Sequence, residues 1–506
     1  MANDKTNDEN HASTFDRRQL VGGSALAMLG MTGAALAQSK GEPKAKGKGK
    51  ASEANAVRVS QTIADFVTRF DLKAVPQPVI DRARAVFIDS VGVMLAGSHE
   101  ESAHLIVAMV KAEGSAPQAS IVQETLRASP QLAALANGVA AHAMDYDLTF
   151  MRAQAIAALI PAILPVAEVT KATPAEIVSA FIIGAEVAAR FVRPNQDGPM
   201  FDGWHSTGMV GVLGVAAACA RLMQVPAPAI PHVMGIAASL ASGFTANFAT
   251  MTKPLHAGNA ARNGVLAATL GKAGYTANPA AFEGRNGYFQ SFARGIDVSY
   301  DGFKDFGSRY DLVSGRYRFK PYPCGGLTHT TIEAALELRE RVAGRLDAIK
   351  SIHCGVSRQA GQRATTVYPR NIEQAKFSVG YLVPYALVHG APRIAAFTEK
   401  ALADDRFKAI QPKMTAAVDP ELGPGGDDSP AKIRITMADG EVLEVRKDFS
   451  TGSVKLPMSQ AQLEDKFYDC AAIVMDKGRA SQILAVLNTL PARASLDDFW
   501  PLFRKA

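Results

Sequence analysis

The chain has 506 residues, 48% of them hydrophobic, with 54 Lys and Arg against 48 Asp and Glu and a formal net charge of +6. A chain of this size can bury two or three domain cores, and so mild a charge excludes a strongly basic nucleic-acid-binding protein. Four cysteines, Cys219, Cys324, Cys354 and Cys470, are too scattered for a CxxC motif and too few for a disulfide framework.

Asp16-Arg17-Arg18-Gln19-Leu20-Val21 opens the first interpretable segment, followed by a charge-free run rich in Gly, Ala, Leu and Met as far as Leu36. Ala35-Leu36-Ala37 offers a small-residue cleavage site, so residues 1–37 are expected to be a twin-arginine (Tat) export signal directing the protein to the periplasm. The run is too short and too Gly-rich for a membrane anchor, so no membrane association is expected after cleavage. Residues 38–55 carry Lys40, Lys44, Lys46, Lys48 and Lys50 against Glu42 and Glu53, lack apolar periodicity, and read as a disordered tether. Net −1 on residues 1–37 and +3 on the tether leave +4 on the body, with its basic residues dispersed. No nucleic-acid partner is expected, whereas a small anionic substrate is compatible.

From Ala56 to about Tyr317 the pattern is helical and alanine-rich, with Ala83, Val86, Phe87, Val91 and Met94 at helical spacing. Pro76 and Pro78, Pro130, Thr173-Pro174, Pro226 and Pro228, and Asn278-Pro279 separate the helices. Small residues from Gly211 to Ala220 predict closely packed helices. Near Phe319 the pattern changes: Ile349 to Val356 reads as a strand, and Ile433 to Val445 as a hairpin turning on Asp439-Gly440. Helical pieces and a Gly-, Pro- and Asp-rich loop, residues 420–430, lie between them. After Pro457 helicity resumes, with Ser459 and Gln462 spaced as a capping box. The expected fold class is mainly α, an all-helical domain formed from both ends of the chain, 56–318 and 457–506, with an α+β domain inserted at 319–456.

Four polar islands interrupt this apolar background: Asn137 to Thr149 with Asp145 and Asp147, Gly203 to Gly208 with His205 and Thr207, Thr250 to Arg262 with Lys253 and His256, and Lys320 to His329. Lys253 and His256 flank a Pro-Leu pair before a helix expected to begin near Ala257, whose free N–H groups and dipole suit a carboxylate or phosphate. Each island also fits a plainer role. Asp145 and Asp147 suit a helix C-terminal turn, Thr207 an N-cap and His329 a helix start. No H-E-x-x-H, paired histidines at helical spacing or cysteine cluster predicts a metal, and neither a G-x-S-x-G elbow nor a phosphate-binding loop occurs. Acid–base chemistry on an anion, without a cofactor, is the expectation that remains.

At these islands the chain resembles the MmgE/PrpD family, which includes 2-methylcitrate dehydratase, cis-aconitate decarboxylase and an iminodisuccinate epimerase. The similarity runs from Phe87-Ile-Asp89-Ser-Val-Gly92 through the four islands to Glu373-Gln-Ala-Lys376-Phe377-Ser378 and the Asp439-Gly440 hairpin. It implies a homodimer, an α+β lid over the helical domain with the site between them, and no metal. By the same resemblance Asp145 and Thr149 match the family's Asp-x-Asp-x-Thr loop, His205 its His-x-Thr-Gly turn, and Lys253 and His256 its Lys-x-Leu-His segment.

Taking a proton from the carbon beside a carboxylate builds charge that a cation must hold. Lys253 is expected to do so with help from Lys320, while His205 transfers the proton and Asp145 orients an imidazole or accepts a proton. Thr149, Arg152, Thr207, Lys320 and His329 complete the expected di- or tricarboxylate site. Where family dehydratases and decarboxylases carry a Trp/Phe-His-Pro-x-x-His-Pro stretch, this chain reads Phe150-Met151-Arg152-Ala153-Gln154-Ala155-Ile156, and Gly325 stands where the decarboxylase has a further histidine. The expected activity is therefore a lyase (dehydratase or decarboxylase) or an isomerase, with a catalytically inactive periplasmic carboxylate-binding or interaction protein as the alternative.

Overall fold

A computed structural model describes residues 58–192, 202–293, 298–426 and 428–505, and the export signal and tether expected over residues 1–55 lie outside them. The described residues are mainly helical, with three small sheets. None of their helices is long and apolar enough to cross a membrane.

The helices that carry the polar islands pack at glycines. A methyl added to Gly138 of helix Pro130–Ala143 would lie 2.7 Å from the Gly258 Cα of helix Thr252–Lys272. Gly184 and Gly214 bring helices Pro174–Val192 and Ser206–Leu222 together, where added methyls would fall 2.8 and 2.6 Å from the opposing carbonyl oxygens. Bare α-carbons let these backbones approach until no side chain fits between them.

The helix expected to open near Ala257 begins at Thr252. Pro254 falls in its first turn, where a missing N–H leaves no intrahelical bond unmade. Lys253 thereby joins the first turn and His256 the helix body.

One cluster of buried apolar residues draws on both 59–319 and 463–503, and a second on 322–445. Behind the second lies a four-stranded sheet. Ile349–Val356 pairs parallel with Met414–Val418 and antiparallel with Ala431–Met437, which pairs antiparallel with Val442–Lys447. Gly440, at φ +93°, makes the hairpin turn, and buried residues alternate along Ala431–Met437 as a half-buried strand requires. Helix Gln460–Ala471 opens on the expected capping box, Gln462 N–H donating to Ser459 Oγ at 3.2 Å and Ser459 N–H to Gln462 Oε1 at 2.9 Å.

A two-residue ladder joins the site loop to the second core's entrance: Thr149 opposes Arg318 and Phe150 opposes Tyr317. It sets Lys320, two residues beyond the ladder, against Asp145.

Candidate active site

Helix Pro130–Ala143 ends with His142 in its last turn, and the chain then passes through Asp145 in the left-handed region, φ +53°. Aspartate tolerates that conformation better than most residues. The turn aims its carboxylate at two lysines from distant segments: Oδ1 lies 2.5 Å from Lys253 Nζ and Oδ2 3.2 Å from Lys320 Nζ. Lys320 Nζ also donates to the Asp145 carbonyl at 2.7 Å. Burial alone pushes the carboxyl up, but the two ammonium groups outweigh it and hold Asp145 well below the usual carboxylate range.

Three imidazoles sit together beside this triad. His205, the N-cap residue of helix Ser206–Leu222, places Nδ1 3.1 Å from His256 Nδ1, and its ring stacks on His142 with centroids 5.5 Å apart. The Nδ1 contact needs one donor and one acceptor. With His205 as donor, its Nε2 holds the lone pair that a general base requires. Gly243, at φ +122°, leaves room for His256, since an added methyl would lie 3.0 Å from the imidazole Cγ. His142 Nδ1 faces both Asp147 oxygens at 3.1 Å. Burial first, then the neighbouring His142 and Lys253, hold His205 and His256 below the ordinary histidine value, so both favour the neutral form.

The triad opens onto a cavity of about 870 Å³. Among the described residues six cationic side chains line it, Arg152, Lys253, Arg316, Arg318, Lys320 and Arg363, against two lining carboxylates, Asp145 and Glu373, with Asp428 3.5 Å from Arg318. Such a wall suits a ligand with several carboxylates, and the volume falls within the range of small-molecule sites. Arg152 follows Met151 in a second left-handed turn, φ +62° and +51°. Gln154 from the same turn points its amide at Asp145 Oδ1, 3.5 Å away. Among the described residues, no group of three or more His, Cys, Asp and Glu side chains is placed to hold a metal ion.

Of the residues singled out from sequence, Asp145, Thr149, Arg152, Lys253 and Lys320 line the cavity. His205 and His256 lie behind that lining, with Phe248 facing the cavity and packing edge-on against His205 at 4.8 Å. Thr207 is buried inside its helix, where Oγ1 accepts from Gln154 N–H at 3.0 Å; it is not the N-cap. His329 does begin helix His329–Arg341, but it is fully buried with Nε2 3.3 Å from the Cys324 carbonyl and does not line the cavity.

Sequence reasoning missed Arg316, Arg318, Arg363, Glu373 and the pair His142–Asp147. A signal existed for two of the arginines: Arg316, Arg318 and Lys320 alternate with aromatic residues, the period that places three side chains on one face of an extended segment.

Two family models match the chain, the MmgE/PrpD N-terminal domain over residues 61–301 and the MmgE/PrpD C-terminal domain over residues 322–490. Among similar proteins, the cis-aconitate decarboxylase of Homo sapiens is 26% identical over 449 residues, covering 85% of this chain and 92% of that protein. The cis-aconitate decarboxylase of Mus musculus is 26% identical over 448 residues, 85% and 90% of the two chains. That of Aspergillus terreus is 23% identical over 457 residues, 84% and 91%.

Proposed function

The chain belongs to the MmgE/PrpD family, and on that premise we propose that it is a cofactor-independent lyase or isomerase acting on a di- or tricarboxylate. The observation that carries this reading is the pair of lysines, Lys253 and Lys320, converging on one carboxylate inside a cavity lined by six cations.

A carbanion conjugated with a carboxylate arises in two ways, by removal of a proton from the adjacent carbon or by loss of CO2 from that carbon or from one allylic to it. Either way negative charge grows on the carboxylate, and fixed ammonium groups stabilise that state more than the ground state. Lys253 and Lys320 supply the charge. His205, neutral and backed by His256, takes the proton or returns it, while Asp145 neutralises the two ammonium groups until a substrate carboxylate competes for them. Thr149 and Arg152 contact the substrate's remaining oxygens, Thr207 holds the Gln154 turn, and His329 supports the wall from behind.

The sequence departures bear on the reaction. Dehydration needs an acid to protonate the departing hydroxyl, and the loop histidines suited to that task are replaced by residues 150–156. Loss of CO2, or proton removal and return at one carbon, needs no leaving-group acid. These departures count against dehydration, and Gly325 in place of the decarboxylase histidine counts against decarboxylation by the same residues, so proton removal and return at one carbon is the reaction the remaining groups support best; the relatives named cis-aconitate decarboxylase favour loss of CO2 as the second reading.

The same proposal takes residues 319–456 as a lid over a helical body formed by 56–318 and 457–506, the protein as a homodimer, and residues 1–37 as the signal for periplasmic export. Sedimentation velocity and the mass of protein recovered from the periplasm test the last two.

The activity test is incubation of purified protein with cis-aconitate, citrate and related di- and tricarboxylates, with products read by proton NMR. Conversion of at least one acid, abolished in Lys253→Met, is expected. Binding without conversion of any acid would replace the enzyme with a carboxylate-binding protein.

A further inference from the structure

Asp89, in the sequence Phe87-Ile-Asp89-Ser-Val-Gly92, lies outside the cavity and touches none of the residues assigned a chemical role above. Its partner is Lys466, near the other end of the chain. Lys466 Nζ lies 2.6 Å from Asp89 Oδ1 and donates to the Tyr146 carbonyl at 2.8 Å, with the Tyr146 ring centroid 4.0 Å away. Both residues are almost wholly buried. Gly92 makes the approach possible: a methyl there would lie 3.1 Å from the Phe467 ring and 3.3 Å from its Cα.

Tyr146 directly follows Asp145, so two successive carbonyls each accept from a lysine, Asp145 from Lys320 and Tyr146 from Lys466. The Tyr146 hydroxyl donates to the Pro321 carbonyl at 3.1 Å, beside Lys320. Residues 145 and 146 are thus tied to helix Gln460–Ala471 through the Tyr146 carbonyl and to the Lys320 segment through the Asp145 carbonyl and the Tyr146 side chain.

We propose that Lys466, held by Asp89, is a positioning residue that fixes the left-handed turn at Asp145 and so sets its carboxylate between Lys253 and Lys320. This rests on the reading of that triad as the charge-holding part of the active site. A buried ion pair is a poor source of net stability, since apolar residues of similar volume serve as well or better. Its value here lies in directing an ammonium at one backbone carbonyl.

The experiment compares Lys466→Met, the double variant Asp89→Leu/Lys466→Met, and Leu463→Ala, a buried position on the same helix, by thermal unfolding, turnover, and amide hydrogen exchange of residues 144–150. The single variant is expected to lose stability and about 10²-fold in kcat with little change in KM, the scale of a reacting group displaced by about 1 Å. Leu463→Ala is expected to lose stability while kcat per folded molecule holds. In the double variant, removal of the stranded carboxylate restores stability, but kcat stays low and exchange at 144–150 stays fast, because Tyr146 still lacks its donor. Recovery of kcat along with stability, or wild-type exchange across 144–150 in the double variant, overturns the proposal. If the single variant does not fold, the double variant decides. If wild-type protein converts no polycarboxylate, the activity reading fails by itself, and exchange at 144–150 alone supports or overturns the clamp.

Discussion

Asp145 occupies the position that a substrate carboxylate would seek, between Lys253 and Lys320. Neutralising it without changing its shape separates two roles. If Asp145 competes for the lysines, Asp145→Asn frees them, and an unreactive tricarboxylate such as tricarballylate should bind about tenfold more tightly, equivalent to about 1.4 kcal/mol, even as turnover falls. Calorimetric titration at two salt concentrations measures this. Weaker binding than wild type would mean that the carboxylate is needed to hold the lysines in place, and the competitive role would be discarded.

Residues of this kind were legible in the sequence because they stand as charged islands in apolar surroundings. The pair His142–Asp147 was not, because its five-residue separation closes only when the helix ends and the chain reverses through the Asp145 turn.

Helix crossings govern how these residues meet. His142 and Lys253 are carried by two helices that touch at Gly138 and Gly258, where the neighbour of an added methyl is backbone and has no rotamer to yield. Gly138→Val is therefore expected to destabilise the protein by about 1–3 kcal/mol, lowering its melting temperature in calorimetry, and to reduce turnover by separating Lys253 from Asp145. An unchanged melting temperature would contradict the crossing as described.

Helix periodicity, proline punctuation, the Ile349–Val356 strand, the 431–447 hairpin and the capping box were all readable locally. Strand Met414–Val418 was not: only Met414 is buried, and its pairing with Ile349–Val356 is a parallel contact between distant segments that leaves no alternation in the sequence. The helix start at Thr252 was misplaced by five residues because Lys253-Pro254 reads as a break when it is in fact a first turn.

For the molecule as a whole, buried neutral histidines couple stability to pH. His329 is fully buried, its Nδ1 lacks a hydrogen-bond partner among the described residues, and burial with the nearby Arg318 and Lys320 charges holds it well below the ordinary value. His205 and His256 are lowered in the same direction. The unfolded chain binds protons as pH falls through about 6.5 while the folded state does not, so stability is complete above that pH and declines below it. His329→Gln should therefore lose less stability between pH 7.5 and 5.5 than wild type, by up to about 1.4 kcal/mol per pH unit. Melting temperatures of the two proteins across that range decide the matter, and parallel curves would show that His329 does not remain neutral when folded. The carboxyl groups raised by burial, Asp89 and Glu186 among them, are common to both proteins and cancel in the difference. Of this coupling the sequence shows only the histidines, since their burial depends on the packing of segments far apart in the chain.

The lysine pair and the imidazoles behind it are proposed to stabilise and protonate a carbanion beside a carboxylate. Proton NMR of cis-aconitate and citrate incubated with the protein in heavy water tests this. Wild-type protein should place deuterium on a carbon adjacent to a carboxylate, in substrate or product, and His205→Ala should slow this by about 10²–10⁴-fold. No deuterium incorporation with either acid, or incorporation undiminished in His205→Ala, would contradict it.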